Sequence, residues 1–384
     1  MSVCAVDVGS TFIKAAGYDA ELRMLSSART GFPATREGGR AEADPESMWR
    51  AFAATIREAV AATPEPVTTL VLSTQMAGLT LIGRDGQPLG PVILGVDRRG
   101  EPLPHDPRTG CPPGAIYPAG KLAWLAAHEP GRLAAARYIG GVKSYLVRRL
   151  CGSWVTDPSS ASTTGLYDVT TGRWMAGPHI TRLEYLPRVL RPRDLAGLVS
   201  SEAAAELGLP AGTPLLAGIG DGPAANLACG AAGGARLCLS LGTTLVARLL
   251  VRGRALPDGD LPFFVQHIEG DWHCVGVRLD LDGDAYSPVG APQTRVGQAE
   301  LPELLRPLLE MYRVTELRPA GSRCRDENLL RRLAAEWELP VRMTGAYDGT
   351  RGAALLALDD RDDLASLAAR VPVTADVTPE GIRE

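Results

Sequence analysis

Lysine is almost missing from this sequence. Of its 40 basic residues only Lys14, Lys121 and Lys143 are lysines, and the arginines are scattered with no basic block. That pattern excludes nucleic acid as the main partner, which would need a basic patch or stripe. The seven cysteines, Cys4, Cys111, Cys151, Cys229, Cys238, Cys274 and Cys324, contain no Cys-x-x-Cys pair. An odd count without paired spacing excludes a disulfide framework and a structural zinc site, and points to a reducing cytoplasm. No apolar run approaches the roughly 18 residues that a membrane helix needs. Met1 leads into a strand-like run carrying Asp7 rather than a basic, apolar leader, so neither secretion nor membrane spanning is expected. The five histidines show no ligand spacing, and His267 and His273 are expected at the surface. HExxH, Walker A and GxSxG motifs are all absent.

What is present is a chain of 384 residues, 45% hydrophobic and 22% charged, with a net charge of -4. That length and composition suit a soluble protein of two domains. Strand-like and helix-like stretches alternate. Val3–Val6, Phe12–Ala16, Val67–Ser73, Pro214–Gly218 and Leu237–Leu241 read as strands. Pro45–Ala62, Gly120–His128, Gly141–Leu150, Pro223–Ala232, Glu327–Trp337 and Gly349–Leu358 read as helices, and the alternation predicts an α/β fold. Asp280–Gln298 is polar and rich in glycine and proline, and reads as a loop or excursion.

One pattern occurs twice. Val6-Asp7-Val8-Gly9-Ser10-Thr11-Phe12-Ile13 and Leu239-Ser240-Leu241-Gly242-Thr243-Thr244-Leu245-Val246 each run strand, Gly plus two hydroxyl residues, strand. A duplicated domain with two hairpins facing across a cleft would explain it. Such hairpins suit a polyphosphate. Glycine lets the backbone approach closely, and amides and hydroxyls donate to phosphate oxygens. Asp7 would stand on the cation side, holding Mg²⁺ directly or through water. Gly218-Ile219-Gly220-Asp221-Gly222 sets a carboxylate between a strand end and a helix start. A hydroxyl nucleophile needs such a carboxylate to take its proton during phosphoryl transfer. The plain alternative for Asp221 is a helix N-cap.

At this point the sequence resembles the FGGY family of carbohydrate kinases. Asp7-Val8-Gly9-Ser10-Thr11 with Lys14 is similar to the family's first phosphate motif. Ser73-Thr74-Gln75-Met76-Ala77-Gly78, then Asp97 and Arg99, resemble its sugar-site strand and D-x-R element. Lys121-Leu122-Ala123-Trp124-Leu125 resembles its K-x-x-W-L segment. Asp157-Pro158-Ser159-Ser160-Ala161-Ser162-Thr163-Thr164-Gly165-Leu166-Tyr167-Asp168 is the most specific match. Leu209–Pro214 leading into Gly220-Asp221, and Ser240-Leu241-Gly242-Thr243-Thr244, complete the series.

The resemblance implies two actin-like (ribonuclease H-like) lobes with the active site in the cleft between them. A sugar-binding lobe would span 1–228 and a nucleotide-binding lobe 229–384. It implies Mg-ATP as donor and a sugar or polyol as acceptor. Asp221 would be the general base, Asp7 and Asp221 the magnesium-side carboxylates. Gly9, Ser10, Thr11, Lys14, Gly242, Thr243 and Thr244 would hold phosphates. Gln75, Met76, Ala77, Asp97 and Gly222 would lie near the acceptor.

Several positions depart from the family pattern. Ala77 replaces a histidine of the pentulose kinases, which removes a polar contact to the sugar. Gly95-Val96-Asp97 replaces W-N-D, which suggests a wider, less polar wall and a bulkier or less hydroxylated acceptor, such as a cyclitol or deoxysugar. The adenosine-side glycine run becomes Gly321-Ser322-Arg323, where Arg323 could stack on adenine or meet a phosphate. The segment around 275–310 is short, so the second lobe reads as reduced. A family member that binds ligand without phosphoryl transfer is the alternative function. Apolar surface left by a reduced lobe would suit a homodimer.

Overall fold

The computed structural model describes residues 2–383 other than 103, 105, 181, 242–243, 254–255, 257–262, 283–284, 289–295, 298–300, 322–325, 346–348, 359–361 and 379–380. Gly242, Thr243, Ser322 and Arg323, all expected at the nucleotide, lie outside the described residues.

Two sheets share one strand plan. In the first, Ser2–Val8 pairs antiparallel with Phe12–Tyr18, which pairs with Met24–Gly31. On its other side Ser2–Val8 runs parallel to Val67–Thr74, and that strand runs parallel to Pro214–Gly220. In the second, Arg236–Leu241 pairs antiparallel with Thr244–Arg252, which pairs with Trp272–Asp282. On its other side Arg236–Leu241 runs parallel to Glu316–Ala320, and that strand to Val341–Met343. Each half is thus a meander followed by parallel strands in the same order, as the repeated pattern predicts.

The two hairpins are not identical in register. Val8 pairs with Ile13, but Leu241 pairs with Leu245, where strict repetition would give Val246. The second connection is one residue tighter. A one-residue shift exchanges the two faces of a strand, and Phe12 is accordingly exposed where Leu245 is buried.

Side-chain alternation decides what covers each sheet. Cys4, Val6 and Val8 pack with Trp49, Phe52 and Ile56 of the helix Pro45–Ala62. That helix begins at Asp44, whose side chain accepts the Ser47 amide at 2.7 Å, with Pro45 in its first turn. Val3 and Ala5 face the other way, onto Ile219, Leu227 and Ala354. In the second sheet Leu237, Leu239, Val275 and Val277 pack with Leu305, Leu308, Leu330 and Leu333 of the helices Leu301–Tyr312 and Glu327–Trp337.

The helices Asp221–Ala228 and Thr350–Leu355 lie between the two sheets and cross closely. A Cβ on Gly352 would stand 1.9 Å from the Ala224 carbonyl oxygen, so only glycine permits the crossing. Gly218, at φ +71, lies where the parallel register shifts, with the Leu72 carbonyl oxygen 1.9 Å from where a Cβ would be. These two contacts set the start of Asp221–Ala228 against Thr350–Leu355 and the strand Val67–Thr74.

Two expectations are corrected. Asp280–Gln298 is no simple loop: the strand Trp272–Asp282 runs on into it, followed by Ala285–Pro288 and Val296–Gly297. The antiparallel ladder Asp280↔Ser287, Leu281↔Tyr286, Asp282↔Ala285 continues the pairing that the acidic composition disguised. His267 and His273 are half-buried rather than at the surface. Tyr167 Oη and His267 Nδ1 lie 3.1 Å apart, and His273 Nε2 is 3.2 Å from the Val169 carbonyl. Both belong to the second sheet and meet residues before 228. Cys4, Cys111, Cys229, Cys238 and Cys274 are buried and Cys151 half-buried, and these six described cysteines are free. Among the described residues no helix is long and apolar enough to cross a membrane.

Candidate active site

Asp221 opens its helix directly after the strand Pro214–Gly220. Its Oδ1 accepts the Gly222 amide at 2.8 Å. Burial pushes the carboxyl above its ordinary value, and Arg248, the Gly222 amide, Arg278 and Lys143 oppose that rise in turn. A group on a strand end and a helix start, with a raised proton affinity, suits a proton acceptor.

The segment behind it is pinned by the most specific sequence run. Asp157 is wholly buried and caps the short helix Pro158–Ser162, accepting the Ser159 amide at 2.9 Å and the Ser160 amide at 3.1 Å. It also takes the Ser160 hydroxyl at 2.6 Å, the Ser159 hydroxyl and the Lys143 ammonium. These donors outweigh burial and hold its carboxyl below the ordinary range. Ser159 Oγ, with its own proton given to Asp157, accepts the Gly220 amide at 2.9 Å. A buried ion pair thus fixes the backbone immediately before Asp221.

Asp7 is the last residue but one of the strand Ser2–Val8. Its Oδ1 accepts the Ser73 hydroxyl at 2.9 Å and its Oδ2 the Gly349 amide at 3.3 Å. Register sets Lys14 directly across from it. A Cβ on Gly349 would lie 3.0 Å from Asp7 Oδ1 and 2.9 Å from Ser73 Oγ. Gly349 therefore lies against Asp7; the sequence marked it only as a helix start, because Asp7 is 342 residues away. The Gly9-Ser10-Thr11 turn closes through Gly9 N–H to the Phe12 carbonyl at 3.0 Å. Arg36, which the sequence did not single out, donates to the Ser10 carbonyl at 2.6 Å and Thr11 Oγ1 at 3.2 Å. Thr244 starts the second hairpin's returning strand, and Gly321 follows the strand Glu316–Ala320.

The expected acceptor residues divide. Met76 and Ala77 are half-buried and face a cavity also lined by Gln75, Lys143, Ser160 and Thr164. Met76 lies over the start of the Asp221 helix; a Cβ on Gly222 would sit 3.3 Å from its Cε. Ala77 has φ 59, a left-handed conformation, held by the Thr163 hydroxyl on its amide at 3.1 Å and Lys121 Nζ on its carbonyl at 2.7 Å. Gln75 spends its amide inside the protein, donating to the Gly9 carbonyl at 2.9 Å and accepting the Gly95 amide at 3.0 Å. It ties the Gly9-Ser10-Thr11 turn to Gly95. Asp97 is wholly buried, paired with Arg99 through both oxygens at 2.9 and 2.8 Å and with the Ala41 amide at 2.6 Å. Its carboxylate has no face turned to the cavity.

Gly95 corrects the wider-wall expectation. A Cβ there would meet the Met76 carbonyl oxygen at 2.0 Å. Backbone fills the space that the missing side chain seemed to open, and Val96 packs into the core behind.

Among the described residues no cluster of three or more His, Cys, Asp or Glu side chains could hold a metal alone. Asp7 and Asp221 offer two carboxylates at the same end of the first sheet, on either side of Ser73 and Thr74. That number fits Mg²⁺ brought in with nucleotide phosphates and water, not a metal caged by protein.

Comparison with known proteins agrees with this layout. The model of the FGGY family of carbohydrate kinases, N-terminal domain, matches residues 2–228. The chain is 31% identical over 387 residues to a xylulose kinase of Streptomyces rubiginosus, covering 93% of this chain and 76% of that protein. It is 28% identical over 277 residues to an L-xylulose/3-keto-L-gulonate kinase of Escherichia coli, covering 66% of this chain and 55% of that protein. A solved structure titled a xyloylose kinase, from Brucella ovis, superposes with a TM-score of 0.87 at 22% identity, covering 99% of this chain and 95% of that one.

Proposed function

We propose that this chain, which belongs to the FGGY family of carbohydrate kinases, transfers the γ-phosphoryl group of ATP to a hydroxyl of a sugar, polyol or related polyhydroxy compound. One observation carries the reading: Asp221, with a raised proton affinity, is fixed at the start of a helix by the Asp157–Ser159–Gly220 chain, beside Met76 of the acceptor cavity.

The acceptor hydroxyl approaches between Met76 and Asp221. Asp221 takes its proton as the oxygen bonds to the γ-phosphorus. The bond from that phosphorus to the β,γ-bridging oxygen breaks, and ADP leaves with the electron pair. Asp221 then returns the proton to solvent. Gly9, Ser10 and Thr11 supply amides and hydroxyls to phosphate oxygens, and Lys14, across from Asp7, adds positive charge. Gly242, Thr243 and Thr244 serve from the other hairpin. Bound Mg²⁺, held through Asp7 and Asp221, would neutralise charge on the β- and γ-phosphates. Asp7 is kept in place for that by Ser73 and Gly349. Lobe 1–228 binds the acceptor and 229–384 the nucleotide, with Gly321, Ser322 and Arg323 on the adenosine side.

The relatives' names span a neutral ketose and a keto sugar acid, so the acceptor class must come from this chain's own residues. The test is ADP release from Mg-ATP on addition of acceptor, with Asp221→Ala as control. Acceptor-dependent release that the substitution abolishes supports the reading, and release that survives it removes Asp221 from the role.

A further inference from the structure

Arg36 reaches the Gly9-Ser10-Thr11 turn from outside it. It stands in the hairpin formed by Ala34–Glu37 and Arg40–Ala43, directly across from Ala41. That base is held firmly. Ala41 is buried, its amide donates to Asp97 Oδ2 at 2.6 Å, and its carbonyl accepts the Leu94 amide at 2.9 Å. The Arg36 side chain itself is exposed, and among the described residues no carboxylate pairs with it. Its Nη2 donates instead to the Ser10 carbonyl at 2.6 Å and to Thr11 Oγ1 at 3.2 Å.

These two bonds decide what the turn can offer. In a trans peptide the carbonyl and the amide hydrogen point in opposite directions. Arg36 takes the Ser10 carbonyl, so the Thr11 amide, in the same peptide unit, points away from the guanidinium. Gln75 takes the Gly9 carbonyl at 2.9 Å, so the Ser10 amide points away from Gln75. Among the described residues neither amide has an acceptor. Thr11 Oγ1 accepts from Arg36, which leaves its own proton to be donated. The turn therefore keeps two N–H groups and one O–H as donors, while the two carbonyls that would repel an anion are occupied.

We infer, resting on the phosphotransfer reading above, that Arg36 is a positioning residue for ATP: by holding the Ser10 carbonyl and the Thr11 hydroxyl it keeps the Thr11 amide and hydroxyl as donors for oxygens of the β- and γ-phosphates. The competing role is a surface clasp that only fastens the hairpin. That hairpin is already fastened by Asp97 and Leu94 at Ala41 and by the pairing of Arg40–Ala43 with Val92–Ile93. An exposed guanidinium also exchanges water for a carbonyl with little net gain in stability. A clasp there has little left to do.

The test uses the full chain and compares ATP with AMP, which lacks the β- and γ-phosphates. Calorimetry with each nucleotide in Mg²⁺ is joined by thermal unfolding and by ADP release from Mg-ATP with pooled ketopentoses, hexoses, polyols, cyclitols and sugar acids. Arg36→Ala is expected to weaken ATP binding about 10-fold, the scale of one charge-assisted hydrogen bond, and to leave AMP binding and Tm unchanged. Arg36→Lys keeps the charge without the planar fork and is expected to lose less. Thr11→Val removes the hydroxyl through which Arg36 partly acts, so the double variant is expected to lose less than the product of the two single losses. Equal losses for ATP and AMP, an unchanged ATP affinity, or an effect seen only in Tm overturns the proposal. So do losses that multiply in full in the double variant. Arg36-dependent ATP binding without ADP release from any pool leaves the positioning role standing and removes the kinase reading. Acceptor-dependent ADP release with a KM for ATP that Arg36→Ala does not change does the reverse. A wild-type protein that binds no ATP removes both.

Discussion

Ser159 Oγ accepts the amide hydrogen of Gly220 at 2.9 Å across 61 residues of sequence. Through that bond a buried ion pair, Lys143 with Asp157, sets the position of a carboxylate it never touches. Ser159→Ala leaves a buried amide without an acceptor, at a cost of about 1–3 kcal/mol. Steady-state kinetics are expected to show kcat reduced and the KM for ATP unchanged, because Asp221 shifts while the phosphate turns do not.

Asp157→Asn removes the charge that pairs with Lys143. Breaking a buried pair from one side costs about 3–5 kcal/mol, and thermal unfolding is expected to show a lowered Tm. The sign with pH follows from the direction of the shift. The folded-state pKa of Asp157 lies below that of the unfolded chain. Its stabilisation is therefore full above the ordinary carboxylate range and is lost as pH falls through the folded value. The variant should lose that part of the acid-side slope.

Turnover itself should fall as acid is added, and early. Protonated Asp221 cannot accept the acceptor's proton, and burial raises its affinity for protons. The acid limb of kcat/KM for the acceptor is expected above the ordinary carboxylate pKa. A limb at or below that value would count against Asp221 as base in the free enzyme.

Gly349→Ala and Gly352→Ala separate site from scaffold. The first places a methyl 3.0 Å from Asp7 Oδ1; a misplacement of about 1 Å can cost about 100-fold in rate, so a large loss of Mg-ATP turnover is expected with modest destabilisation. The second drives a Cβ to within 1.9 Å of the Ala224 carbonyl. Overpacking of about 1–3 kcal/mol or more should appear in denaturant unfolding.

Much of this was legible in the sequence because it is local. The repeated Gly-Ser/Thr turns, the apolar strands beside them and the Asp221 elbow are written in adjacent residues, and together they gave two matching halves. What stayed hidden depends on long-range approach. Gly349 and Gly352 matter for what lies across from them. Gly95 read as an opening, yet the Met76 carbonyl fills it. The resemblance set Asp97 and Gln75 near the acceptor; that their polar atoms also bind Arg99, Gly9 and Gly95 is not written in adjacent residues. The tighter second hairpin was hidden too, since residue types repeat while pairing does not.

The most direct test of the central claim is acceptor-dependent ADP release from Mg-ATP, measured over pools of ketopentoses, hexoses, polyols, cyclitols and sugar acids with wild type and Asp221→Asn side by side. The account predicts release with at least one pool and a loss of about 100-fold or more in the variant. Release that ignores the acceptor, full turnover by Asp221→Asn, or silence in every pool would contradict it.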